Sequence, residues 1–121
     1  MTAARRGRYR AGILAEWLAA AYLAGKGYRI ERWRCKTPLG EIDLIARKGD
    51  MIVFVEVKGR RAERDALEAV GARTQYRIAR AAAYLLPRRP DWRDKILRFD
   101  VIAISWPFFI RHIDNAWRPQ A

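Results

Sequence analysis

The stretch GEIDLIARKGDMIVFVEVKGRR, from Gly40 to Arg61, constrains this chain more than any other. Residues 41–48 and 51–58 both alternate and are rich in aliphatics, with only Gly49 and Asp50 between them. A two-residue loop with glycine first suits a type II′ hairpin turn, and that loop length fixes the strand register. Lys48 then faces Met51, which puts Asp43 opposite Glu56 and Glu41 opposite Lys58, all four on one face. Opposed Cβ atoms lie about 4.5–5.5 Å apart, and like charges held there destabilise a sheet. A cation between the two carboxylates removes that repulsion. The plainer reading is a Glu41–Lys58 salt bridge with two carboxylates in water. Against it, Met51, Val53, Val55 and Val57 line one face of the strand while Ile52 and Phe54 precede Glu56 on the other. A strand apolar on both faces is central and covered, so charges at its end need partners. The pattern therefore favours a metal site at Asp43 and Glu56.

Size and charge narrow the field. A chain of 121 residues suits one domain, 1–121, with a sizeable core. Its 51% apolar content excludes a mostly disordered polymer. Lysine and arginine number 25 against 13 acids, a net charge of +12. An excess of that size on a small domain points to a polyanionic partner, above all nucleic acid; a basic surface kept for solubility has the same composition. Cys35 and His112 are the single cysteine and histidine, which excludes a disulfide framework, a thiolate zinc cluster and a His-based metal site. His112 reads as a packing or surface residue. Any metal is then held by oxygen, which selects Mg²⁺ or Mn²⁺. Arginines 5, 6, 8 and 10 precede an apolar run in the manner of a secretory leader, but Glu16 interrupts it and no clean cleavage context follows. With no membrane-length run elsewhere, the expectation is a cytoplasmic protein with no membrane partner.

Along the chain, residues 1–7 read as a loose basic tail and residues 8–26 as a helix stopped by Gly27. Residues 28–35 alternate as a strand, residues 37–40 form a turn, and the hairpin follows. Residues 59–68 make a charged loop. A second helix covers 69–86 and is stopped by Pro87 and Pro90. An apolar strand covers 96–104, with a last short strand at 108–113. The expected fold is α/β: a mixed sheet with an N-terminal antiparallel meander flanked by helices, in the order αβββαβ with a final short β.

Projected at about 100° per residue, Glu16 falls among Ile13, Ala19, Ala20 and Leu23 on the buried side of the first helix. A carboxylate there needs a partner. It is either part of a site or paired with an arginine, unless the helix is rotated enough to expose it. On the second helix Arg73, Arg77 and Arg80 line one flank of the apolar face, with Tyr76 and Tyr84 nearby. Such a stripe suits phosphate contacts and base stacking, or is simply a solvated face. Gln75 sits at the other edge, a polar residue directed into the cleft. Arg60, Arg61 and Arg64 are phosphate contacts or a solvated loop.

Asp43 followed thirteen positions later by Glu56-Val57-Lys58 resembles the motif of the PD-(D/E)XK nuclease superfamily. GEIDLIA, then FVEVKGR, after a helix carrying Glu16, looks like the YraN family of small bacterial proteins, related to archaeal Holliday-junction resolvases. The likeness runs from Arg8 to Ser105, and the proline of the motif is replaced by Ile42. The resemblance implies a restriction-endonuclease-like core. It also implies that Asp43, Glu56 and the backbone carbonyl of Val57 ligate Mg²⁺ or Mn²⁺. Lys58 would orient or deprotonate the attacking water, Glu16 would reach the metal or its waters, and Gln75 would be the polar residue of the following helix. The expected activity is metal-dependent phosphodiester hydrolysis, on DNA ahead of RNA, in branched or damaged structures; cutting two strands would favour a homodimer. The rival expectations are a non-catalytic nucleic-acid-binding module and an assembly subunit docking through Trp106, Phe108 and Phe109.

Overall fold

The computed structural model describes residues 3–59, 71–105 and 109–118. Helix α1 (Ala3–Gly25) precedes three strands, β1 (Arg29–Thr37), β2 (Gly40–Lys48) and β3 (Met51–Gly59). Helix α2 (Ala72–Leu85) and two short 3-10 turns lead to β4 (Ile96–Ser105) and β5 (Phe109–Trp117). The five strands form one sheet in sequential order, antiparallel throughout except where β4 runs parallel to β3. The α/β class, the meander and the two helices are as the sequence leads one to expect. Arg60, Arg61, Arg64, Trp106 and Phe108 lie outside the described residues.

Each helix covers one face of the sheet. Beneath α1, Ala15, Ala19 and Leu23 pack on Leu44, Val53, Val55 and Ile102; beneath α2, Ile78, Ala81 and Ala82 pack on Ile45, Ile52, Phe54 and Phe99. β3 therefore contributes alternate residues to two cores. Burying each such side chain is worth roughly 1.5–3 kcal/mol, which is why this strand lies at the centre of the sheet.

The element ends differ from expectation for local reasons. α1 begins at Ala3, so the helix takes in residues assigned above to a basic tail. At its other end the Tyr28 N–H reaches the Leu23 carbonyl (3.0 Å) and the Gly27 N–H the Ala24 carbonyl (3.1 Å), a Schellman stop. β1 continues to Thr37, whose hydroxyl accepts from the Leu39 and Gly40 N–H groups and donates to the Gly40 carbonyl, closing the turn. β5 runs to Trp117, beyond the expected 113, because Asp100 holds it. The buried carboxylate of Asp100 accepts from Arg98 Nε (2.8 Å) and Nη2 (2.7 Å), from His112 Nε2 (2.6 Å) and from the Asn115 N–H (3.0 Å). Burial alone would raise this carboxyl's pKa, but the bonds from His112, Arg98 and Asn115 outweigh it and hold it below the usual carboxylate range. His112 is thus a packed residue. Its Nδ1 faces Lys26 Nζ at 3.0 Å, and an ammonium only donates, so Nε2 carries the proton given to Asp100.

Candidate metal and nucleic-acid site

The β2–β3 ladder follows the register counted from the Gly49-Asp50 turn, from Lys48↔Met51 to Leu44↔Val55. Beyond that pair the backbone ladder gives way. The Val57 N–H donates to Asp43 Oδ2 at 2.9 Å, a side chain taking a bond the neighbouring strand does not supply. The alternation of β2 also breaks here: Leu44 belongs to the core under α1 and Ile42 to the core under α2. Arg34, across from Asp43 between the pairs Trp33↔Leu44 and Cys35↔Ile42, has a φ of 46°. The sheet is distorted at the level where its acidic residues sit.

Asp43 and Glu56 converge at this point. Glu56 is only 7% exposed. Burial, the negative charge of Asp43 and a hydrogen bond to it push the Glu56 carboxyl up to about 8, against smaller opposing effects of Lys58 and Arg77. Without metal, the Glu56 carboxyl is thereby biased towards its protonated form beside Asp43. Lys58 Nζ lies 3.6 Å from Glu56 Oε1. Lys58 thus faces Glu56, not Glu41 as in the plainer reading of the sequence, and Glu41 stands opposite Lys36 on β1.

α2 supplies the second positive group. Arg77 lays its stem across Gly40, where an added Cβ would sit 2.6 Å from Arg77 Cγ. Only glycine admits that approach, and it leaves the guanidinium close enough to act on the Glu56 charge. Arg73 and Arg80 are exposed on the same flank, and Arg80 donates to the Tyr76 hydroxyl at 2.9 Å. Gln75 is half-buried on the first turn of α2, towards Ile78.

Glu16 is not brought to the carboxylate pair. Arg34 Nε donates to Glu16 Oε1 at 2.7 Å and Nη2 to Oε2 at 3.4 Å, on the α1 side of the sheet. Of the readings offered for this carboxylate, pairing with an arginine is the one observed. Among the described residues no three Asp, Glu, His or Cys side chains gather into a metal-holding group. What the site offers a cation is two carboxylates beside the Val57 backbone. Such a set fits a hard, water-retaining ion and not zinc or copper.

Sequence reasoning missed Arg34, since strand alternation carries no sign of a positive φ. It also missed the contact of Trp17 with Trp33, although each tryptophan adjoins a member of the Glu16–Arg34 pair in sequence.

Among the described residues no helix is long and apolar enough to cross a membrane. Comparison with known proteins finds a UPF0102 protein of Mesorhizobium japonicum that is 48% identical over 119 residues, covering 96% of this chain and 93% of that protein. A UPF0102 protein of a Chelativorans species is 49% identical over 112 residues, 90% of each chain. One from Parvibaculum lavamentivorans is 50% identical over 114 residues, 92% of this chain and 84% of that one. The model of the uncharacterised protein family UPF0102 matches residues 15–104, a span holding Glu16, Asp43, Glu56, Lys58 and Arg77, and the chain belongs to that family.

Proposed function

We propose that this chain is a Mg²⁺- or Mn²⁺-dependent nuclease with a restriction-endonuclease-like core, hydrolysing phosphodiester bonds in branched or damaged DNA. The observation that carries the reading is the convergence of Asp43 and Glu56, with Lys58 and Arg77 beside them, where the sheet opens. A bound divalent cation would polarise a phosphoryl oxygen and acidify a water. Asp43 and Glu56 are the residues that would hold that cation, both as carboxylates. Lys58 presents an ammonium where negative charge builds on the phosphorus oxygens. Arg77 reaches the same place from α2 and neutralises a neighbouring phosphate, with Arg73 and Arg80 extending the basic track along the helix. The net charge of +12 draws the polyanion to this surface.

A non-catalytic nucleic-acid-binding module is the second reading, and the Glu16–Arg34 pair favours it, because it keeps a third carboxylate away from the metal site. Labelled four-way junctions, flaps, single strands and blunt duplexes, each incubated with Mg²⁺, Mn²⁺ or EDTA, separate the two. The nuclease reading expects metal-dependent cutting, reduced roughly 100-fold or more in Asp43→Ala and Lys58→Ala. Binding without cutting, unaffected by EDTA and by both substitutions, supports the module instead.

A further inference from the structure

Two tryptophans stand in the open beside the Glu16–Arg34 pair. Trp17 of α1 is 62% exposed and Trp33 of β1 is 39% exposed. Their ring centroids lie 5.0 Å apart with the planes tilted by 47°. With Ile13, Glu16 and Arg34 they line an open groove of about 590 Å³ on the outer side of the edge strand β1. Large rings left this exposed, next to one another, expose apolar surface that folding normally buries. The polar part of the groove is the Glu16–Arg34 ion pair, whose guanidinium belongs to a residue with a φ of 46°, unfavourable for a side chain larger than glycine.

Flat aromatic rings beside a guanidinium plane are the surfaces on which unpaired bases stack, with little regard to base identity. The groove lies one strand away from the carboxylate site, because the Arg34 backbone runs across the β1–β2 pair from Asp43, between Trp33↔Leu44 and Cys35↔Ile42. The strong basic excess of the chain suits a polyanion here better than an apolar peptide. Resting on the nuclease reading above, we propose that the Trp17–Trp33 groove receives an unpaired nucleobase of the DNA. The preferred substrates are then those with a flipped-out or single-stranded nucleotide beside the bond to be cut. A base within an intact duplex stays in its stack and cannot enter.

The test is equilibrium binding in EDTA, so that turnover plays no part. Fluorescence anisotropy is read on a labelled oligothymidine, a flapped duplex and a blunt duplex of equal length. Trp17→Ala is expected to weaken the oligothymidine and the flap by about tenfold, within the range of one lost base stack, and to leave the blunt duplex unchanged. Trp17→Phe keeps most of the affinity, and Trp33→Ala reproduces the loss. Circular dichroism and thermal melting check that these surface truncations leave the fold intact. Unchanged binding of the single strand in both alanine variants overturns the proposal, as does an equal loss on flap and blunt duplex. A change in sedimentation without a change in single-strand affinity also overturns it and assigns the groove to a second copy of the chain. If the wild type binds duplex and flap equally well, only this inference falls; if it binds no nucleic acid, the nuclease reading falls with it.

Discussion

At the scale of the residue, the proposed chemistry turns on a carboxyl raised well above its ordinary value. Glu56 is raised from the ordinary carboxylate value of 4.5 to about 8 in the folded chain, first by burial and then by Asp43. A raised folded pKa stabilises the metal-free protein fully below the unfolded value and loses that contribution as pH climbs through the folded one. Glu56→Gln, which cannot ionise, should therefore match the wild type near pH 5 and exceed it in stability near pH 9, a contrast read by urea unfolding in EDTA. A variant less stable than the wild type at the alkaline end would show that the Glu56 charge is compensated in the native state. The sequence made this pair legible because a two-residue turn fixes register by counting. The Val57 N–H bond to Asp43 was not legible, since it depends on where the ladder ends and not on which residues are opposed.

At the scale of the element, Asp100 ties β4 to β5 and, through Arg98 and the Tyr28 hydroxyl (2.8 Å), to the chain just after α1. Replacing it by Asn leaves the half-buried Arg98 without its counter-charge. The expected cost is about 3–5 kcal/mol, the usual penalty for removing one partner of a buried pair, measured as a fall in the denaturation midpoint. Because its folded pKa is lowered, the Asp100 contribution is present above the ordinary carboxylate range and fades as pH falls through the lowered value, the opposite sense to Glu56. Nothing in the alternation of ILRFDVIAI marks Asp100 as the hub of such a network; its partners His112 and Asn115 lie on the next strand, and Tyr28 joins only through Arg98. The helices were legible for the converse reason: their apolar periodicity and their Gly and Pro stops are local. The helix starts escaped: α1 runs on through Gly7, which reads as a breaker, and α2 begins only after its extended cap at Gly71.

At the scale of the whole molecule, a sheet covered by a helix on each face belongs to a chain with a net charge of +12. If that charge binds phosphates, affinity for duplex DNA should fall by about 10³-fold between roughly 50 and 200 mM salt, as for about six phosphate contacts. A shallow salt dependence would point to docking through apolar surface instead. The central claim, however, is that Asp43 and Glu56 together form a cation site. The most direct test is titration of Mn²⁺ followed by electron paramagnetic resonance, on the wild type and on the Asp43→Asn/Glu56→Gln double variant, which preserves side-chain shape. Saturable binding in the wild type, lost in the double variant while its circular dichroism is unchanged, is the predicted result. Equal Mn²⁺ binding by both proteins, or none by the wild type, would contradict the account.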